Sequence, residues 1–247
     1  MNQKLEAPLD EGEGLDMAVV KIALSFVPII GGAIAEFVGY HGNNLARRQE
    51  FWMAQVTDAI NVLQRSTGHS VDNLMKNEAF FSFLLQATPV ALRNHQKEKI
   101  FMLRNALVSV GQPSFSDDDM AFQFLRYIDE LSVSHLKILR AVFEHPGDFA
   151  EVKSMEQAFG QLALGDQSRL SKLVVRTYLR DLDTRGLVNA SDLEDLPEFE
   201  SKAVYIAAEQ SDRHPLHVTE LGAQFLAFIE VGVTPWQASS AVNTSVA

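Results

Sequence analysis

The chain has 247 residues, of which 47% are hydrophobic and 21% are charged, and it contains no cysteine. This composition is that of a globular protein, and it excludes disulfides, thiolate nucleophiles and cysteine-based zinc sites within the sequence. The formal net charge of −11 gives no general attraction to polyphosphate, so any contact with nucleic acid requires a locally basic surface.

Residues 1–16 form an acidic leader with one basic and five acidic side chains, and it contains Pro8, Gly12 and Gly14. Such a polar segment buries too little apolar area to offset its loss of conformational entropy, so we expect it to be disordered. A secretory signal begins with positive charge, whereas here the acids come before the first apolar stretch. We therefore expect a cytoplasmic location.

The most apolar stretch is formed by residues 22–35, which carry no charge but include Pro28. It is shorter than the roughly 18–20 residues that a helix needs to span a bilayer, so we interpret it as two short buried helices. The alternative is a membrane-active segment over residues 22–38, with the protein peripheral to the inner face of the membrane. The apolar side chains that would then enter the bilayer are Ile22, Phe26, Ile29, Ile30, Ile34 and Phe37.

Helical periodicity dominates the next part of the chain. Apolar residues recur every three or four positions from Leu45 to Leu63, which predicts an amphipathic helix ending near Gly68. A second helix is predicted from a cap at Ser70 to a kink or break at Pro89, and a third over about residues 89–110. Four aromatic residues are expected in the core, with a seam between two copies of the chain as the alternative; they are Trp52, Phe80, Phe81 and Phe83.

Three consecutive aspartates follow Ser116. We interpret Ser116 as a helix cap and the acids as first-turn residues, where the helix dipole favours negative charge. A calcium loop would instead space its ligands at alternate positions and turn at a glycine. The helix is expected to continue through Leu131, so residues 17–131 are predicted to form an entirely helical domain.

The C-terminal part begins with three more predicted helices, over residues 134–143, 152–164 and 169–185, the last of which is closed by Gly186. The apolar residues of the last helix are expected inside the domain; they are Leu170, Leu173, Val174, Leu179 and Leu182. Residues 203–208 then have the pattern of a strand, residues 211–215 that of a turn, and residues 216–218 that of a partner strand. Thr219 is expected to cap a final helix over residues 220–230. These elements predict a second domain over residues 132–231, followed by a disordered tail over residues 232–247. The predicted fold class is mainly α, with one small β-hairpin.

Two sequence stretches carry a resemblance to known proteins. LRDLDTRGLV (residues 179–188) and VTELGAQFLAFI (residues 218–229) resemble the recognition helix, wing and closing helix of bacterial winged-helix proteins. The layout of VPIIGGAIAEF, EKIFMLRNAL and LSVSHLKIL also resembles the Abi-alpha family, which is associated with phage abortive infection. The second resemblance implies a role in phage defence, with a possible membrane association, and it supplies no catalytic residues.

Basic side chains concentrate on the predicted recognition helix. Residues 167–188 hold five basic and two acidic residues, within a C-terminal region that is acidic overall. Because guanidinium and ammonium groups bind phosphate, this surface favours duplex DNA as the partner, whereas the surrounding acids favour a protein partner or self-association. We leave both open at this point. The candidate binding residues are Arg169, Lys172, Arg176, Arg180 and, in the wing, Arg213.

No motif indicates catalysis. The sequence contains neither a phosphate-binding loop ending in Gly-Lys-Ser/Thr nor a Gly-x-Ser-x-Gly nucleophile elbow. His214 and His217 flank a predicted turn without a specified third ligand, and His95 and Glu98 lack the second such pair that a metal-binding helical bundle needs. We therefore expect no enzymatic activity, no cofactor and no metal.

Overall fold

The computed structural model describes residues 35–164, 170–190, 193 and 216–230. Contacts between Cα atoms divide the chain into two compact units, Met1–Asp129 and Glu130–Ala247. The described residues are mainly helical, which confirms the predicted fold class at that level. The predicted leader, the apolar residues 22–34, the strand at 203–208, the turn at 211–215 and the tail lie outside the described residues.

The helices before the division between the units follow one another with short connections. They are α1 (Ala35–Thr67), α2 (Val71–Lys76), α3 (Glu78–Arg93), α4 (Lys97–Val110) and α5 (Asp118–Glu130).

Helix α1 contains the predicted amphipathic segment. Its apolar positions Trp52, Val56, Ala59 and Leu63 have no solvent exposure, so one face of the helix forms part of the core of this unit. The helix begins at Ala35, upstream of the predicted start, and ends as predicted before Gly68. Gly68 has a φ of +71°, a left-handed conformation that glycine adopts without strain.

The helix predicted from Ser70 onward is divided into two. Ser70 caps α2 as predicted, because its hydroxyl accepts the Asn73 N–H at 3.3 Å. Asn77 then ends α2 and starts α3, and its side-chain oxygen accepts the Phe80 N–H at 3.2 Å. One asparagine thus caps a new helix where periodicity alone predicted a continuous one.

Of the predicted kink or break at Pro89, the break is wrong, because α3 continues through this residue to Arg93. Two hydrogen bonds of Thr88 stabilise the turn before the proline. The Thr88 hydroxyl donates to the Leu84 carbonyl at 2.7 Å and accepts the indole N–H of Trp52 at 3.1 Å. This contact with α1 stabilises the turn. Because α3 continues to Arg93, the next helix begins at Lys97 and not near residue 89 as predicted.

Helices α1 and α4 run parallel. Phe51 lies edge-on to Phe101, with ring centroids 6.0 Å apart, and further along both helices Asp58 accepts a hydrogen bond from Arg104 at 2.6 Å. The aromatic residues predicted for the core are buried at Trp52, Phe80 and Phe83, whereas Phe81 is half-buried.

The cap of α5 lies one residue beyond the predicted one. The carboxylate of Asp117, rather than the hydroxyl of Ser116, accepts the Met120 N–H at 2.9 Å. Asp118 and Asp119 occupy the first turn, where their negative charge interacts favourably with the positive end of the helix dipole.

The second unit contains helices, a short antiparallel ladder and a closing helix. Its described elements are α6 (Val133–Glu144), α7 (Pro146–Phe149), α8 (Met155–Leu164), α9 (Lys172–Thr184), β1 (Val188–Asn189), β2 (His217–Val218) and α10 (Glu220–Ile229).

The ladder pairs Val188 with Val218 and Asn189 with His217. The predicted pairing of residues 216–218 with residues 203–208 lies outside the described residues, and the strand directly after α9 was not predicted. A strand of two residues has no alternation from which it could be predicted. The ladder brings the start of α10 to the end of α9.

The start of α10 packs tightly on the turn after α9. Thr219 caps the helix as predicted, since its hydroxyl accepts the Gly222 N–H at 3.0 Å and its own N–H donates to the Leu187 carbonyl at 3.1 Å. Gly222 is buried against the same carbonyl, and a Cβ atom at this position would lie 2.0 Å from the Leu187 oxygen. The absence of a side chain at Gly222 therefore permits this approach.

Candidate functional site

Helix α9 contains the predicted basic surface. The Ser171 hydroxyl caps it by accepting the Val174 N–H at 3.4 Å, and Gly186, with a φ of +72°, follows its C-terminal end as predicted. The predicted start at Arg169 is wrong, because Ser171 is in an extended cap conformation and the helix starts at Lys172; Arg169 itself lies outside the described residues. Val175, Leu179 and Leu182 are buried, and α9 packs on α6 and α8.

The face of α9 opposite this buried stripe is exposed. Its most exposed residues follow one another at intervals of four and three positions, which places them in one row along the helix. They are Leu173, Thr177, Arg180 and Thr184, and we call this row the outward face of α9.

Leu173 is the unexpected member of this face. The sequence analysis placed it inside the domain, yet 70% of its surface is exposed. Two residues correspond to about 200° of helical rotation, so burying Val175 turns Leu173 away from the core. Only Leu173 and Phe101 are exposed large hydrophobic residues within the described part of the chain.

The structure places the three described candidate cations on one side of α9, but their surroundings differ. The Lys172 ammonium group forms a salt bridge with Glu156 of α8. Arg180 is exposed, and Arg176 is half-buried beside the outward face. The other two candidates, Arg169 and Arg213, lie outside the described residues.

The two acidic residues of α9 bond to other parts of their own unit. Asp183 accepts the backbone N–H of Ala190 at 2.8 Å, which ties the helix to the segment after β1. Asp181 accepts from Arg185 at 3.1 Å and lies 3.3 Å from Nε2 of His135. Arg185 also donates to Glu130 at 2.6 Å, which extends this network to the start of the unit.

A histidine network that the sequence analysis missed joins α6 to α9. The Nδ1 atom of His135 accepts the Ser132 N–H at 3.2 Å and lies 2.7 Å from the Ser132 hydroxyl. A neutral His135 that accepts at Nδ1 carries its proton on Nε2, which faces Asp181. The imidazole also packs on Tyr178, with ring centroids 3.8 Å apart. The Ser-x-x-His spacing, a capping box with histidine in place of glutamate, was the available signal.

The histidines considered for metal binding are not assembled into a site in the described part of the chain. His95 and Glu98 are exposed, and His217 is exposed on β2, whereas His214 lies outside the described residues. Within that part, no group of three or more potential ligands is placed to hold a metal ion.

The membrane alternative depends on residues 22–38. Phe37 lies in the first turn of α1, and the other five proposed membrane residues fall outside the described residues. Among the described helices, none combines the length and the apolar character needed to cross a bilayer.

Comparisons of the chain with protein-family models, with curated proteins and with solved structures found no match. The resemblances to winged-helix proteins and to the Abi-alpha family therefore stay predictions from the sequence.

Proposed function

We propose that the second unit is a winged-helix-like module that binds duplex DNA through the outward face of α9. The order of its described elements supports this proposal: α6, α8 and α9 precede the ladder, and α10 follows it. In a helix-turn-helix protein the recognition helix enters the major groove, and in a winged helix the hairpin lies beside it.

The electrostatics of α9 carry the proposal. Asp181 and Asp183, which weighed against DNA binding in the sequence, hydrogen-bond within their own unit. Arg180 lies on the outward face and Arg176 on its border, so both guanidinium groups belong to the surface that we propose for DNA binding. A guanidinium group binds phosphate oxygens, and it also binds the O6 and N7 atoms of guanine in the major groove.

Docking of a protein partner, including a second copy of this chain, is the second candidate function. The exposure of Leu173 favours it, because an apolar side chain on a helix face is a common anchor in helix-mediated association. The acidic charge of the surrounding sequence also favours this alternative.

A role in phage defence, with or without membrane association, remains a prediction from the Abi-alpha resemblance. Its test is phage plating efficiency on bacteria that carry the gene, compared with bacteria that carry an Ile30→Asp variant. Loss of protection in the variant supports a membrane-active segment, whereas equal protection opposes it.

The proposed function is tested by binding of the full chain to random-sequence duplex DNA at increasing salt concentration. We expect the double variant Arg176→Glu/Arg180→Glu to lose binding while its circular dichroism spectrum and unfolding midpoint stay unchanged. The matched control is Arg47→Glu/Arg65→Glu, which changes net charge equally at two exposed positions of α1 and should retain most of the binding.

Two results would contradict the proposed function. One is failure of the folded unmodified chain to bind duplex DNA even at low salt. The other is equal loss of binding in both double variants, which would indicate a dependence on net charge rather than on α9.

A further inference from the structure

Leu173 is a large apolar side chain on an otherwise polar helix face, and it exposes apolar surface to water. It lies in the first turn of α9, two residues after the Ser171 cap, and 70% of its surface is exposed. The N-terminal residues of a recognition helix are those that approach base edges in the major groove. If α9 is the recognition helix, as proposed above, Leu173 occupies a position from which bases are contacted.

The neighbours of Leu173 favour DNA over an apolar protein surface as the group that covers it. Arg176 follows one turn after Leu173 and Arg180 two turns after it, so positive charge lies along the same side of the helix as the apolar side chain. The Thr177 hydroxyl donates a hydrogen bond to the Leu173 carbonyl at 2.9 Å. A negatively charged partner that also presents an apolar group would complement an apolar side chain and guanidinium groups on the same side of the helix.

Duplex DNA offers one such apolar group in the major groove, the C5-methyl group of thymine. We infer that Leu173 is a specificity-determining residue that contacts a thymine methyl group while Arg176 and Arg180 bind neighbouring phosphates. This inference rests on the proposed DNA-binding function.

The inference is tested with a pool of random-sequence duplexes from which the unmodified protein enriches bound members. We expect the enriched sequences to contain a preferred thymine. Replacing that thymine by deoxyuridine removes only the methyl group, and this should weaken binding about fourfold, the factor for one buried carbon group.

Two variants accompany the measurement. Leu173→Ser should bind thymine and deoxyuridine duplexes equally, because the apolar partner of the methyl group is gone, while retaining the salt dependence of binding. Phe101→Ser is the matched control, since it makes the same kind of change at the other exposed large hydrophobic residue of the described chain. It should keep the discrimination of the unmodified protein.

The outcomes separate the inference from the function on which it rests. Salt-dependent binding without discrimination between thymine and deoxyuridine would overturn the inference and leave DNA binding intact. Discrimination that survives in Leu173→Ser would assign it to another residue and overturn the inference as well. Absence of any duplex binding would overturn the proposed function, and with it the role of Leu173.

Discussion

The Nε2 atom of His135 lies 3.3 Å from the Oδ2 atom of Asp181, and this contact joins the start of α6 to the last turn of α9. His135 is 8% exposed, so the contact is largely shielded from water. The same imidazole accepts the Ser132 N–H at the cap of α6 and packs on Tyr178 of α9. One side chain therefore fixes both the end of one helix and its packing on the other.

Replacing His135 by alanine should lower the free energy of unfolding by about 2–4 kcal/mol. The change opens a cavity beside Tyr178, removes half of a capping box and leaves Asp181 with one partner fewer. Urea denaturation measures this change in the free energy of unfolding. His145→Ala is the matched control, because His145 is an exposed residue at the opposite end of α6, and its change should stay within about 0.5 kcal/mol. Equal effects of the two substitutions would refute the structural role of His135.

Two glycine-to-alanine substitutions in the second unit should act in opposite directions. Gly222→Ala places a Cβ against the Leu187 carbonyl oxygen and should destabilise the unit by about 2 kcal/mol or more, because backbone has to shift. Gly160, within α8, has open space where the Cβ would lie, so Gly160→Ala should stabilise by about 0.5–1 kcal/mol through helix propensity. Thermal unfolding of both variants checks the sign, and a tolerated Gly222→Ala would contradict the packing of α10.

The hydrogen bond from Trp52 to Thr88 should show as coupling between these two residues. Thr88→Val leaves the buried indole N–H without its acceptor and should cost about 1–3 kcal/mol. In a Trp52→Phe background the same substitution should cost less, since the donor is already absent. A double-mutant cycle by denaturant unfolding measures the difference, and strictly additive costs would argue against this bond.

Burial raises the pKa of Glu230, an effect that Arg140 offsets in part and Glu144 reinforces. A carboxyl group whose pKa is higher in the folded than in the unfolded chain binds its proton more tightly when folded. Ionisation of Glu230 therefore lowers the free energy of unfolding as the pH rises from the ordinary pKa of glutamate to the raised pKa of the folded chain. We expect Glu230→Gln to be more stable than the unmodified chain at pH 7, by a margin that shrinks as pH falls towards 4. Urea unfolding at several pH values measures this margin. A variant that is less stable than the unmodified chain at pH 7 would show that the salt bridge between Arg140 and Glu230 stabilises the fold by more than burial of the carboxylate destabilises it.

Sequence patterns located most helices because caps act locally. Ser70, Thr219 and Gly186 each fulfil the predicted role, since a hydroxyl cap or a left-handed glycine depends on residues within the same turn. The mainly helical class follows from periodicity in the same way.

The errors arose where distant residues decide the outcome. The helix continues through Pro89 in a turn that Trp52 contacts from another helix, and no local pattern contains that contact. The exposure of Leu173 depends on which side of α9 packs on α6 and α8, and the apolar sequence alone placed it inside. The basic residues of α9 could be listed from the sequence, but the pairing of Lys172 with Glu156 could not.

The central claim, that Arg176 and Arg180 bind phosphates of duplex DNA, is tested most directly by the salt dependence of binding. The slope of log K against log salt concentration falls by about 0.9 for each phosphate contact that is lost. We predict that Arg176→Gln/Arg180→Gln binds random duplex more weakly and with a slope reduced by about 1.8, the sum of two contacts. An unchanged slope in the folded double variant would contradict the account.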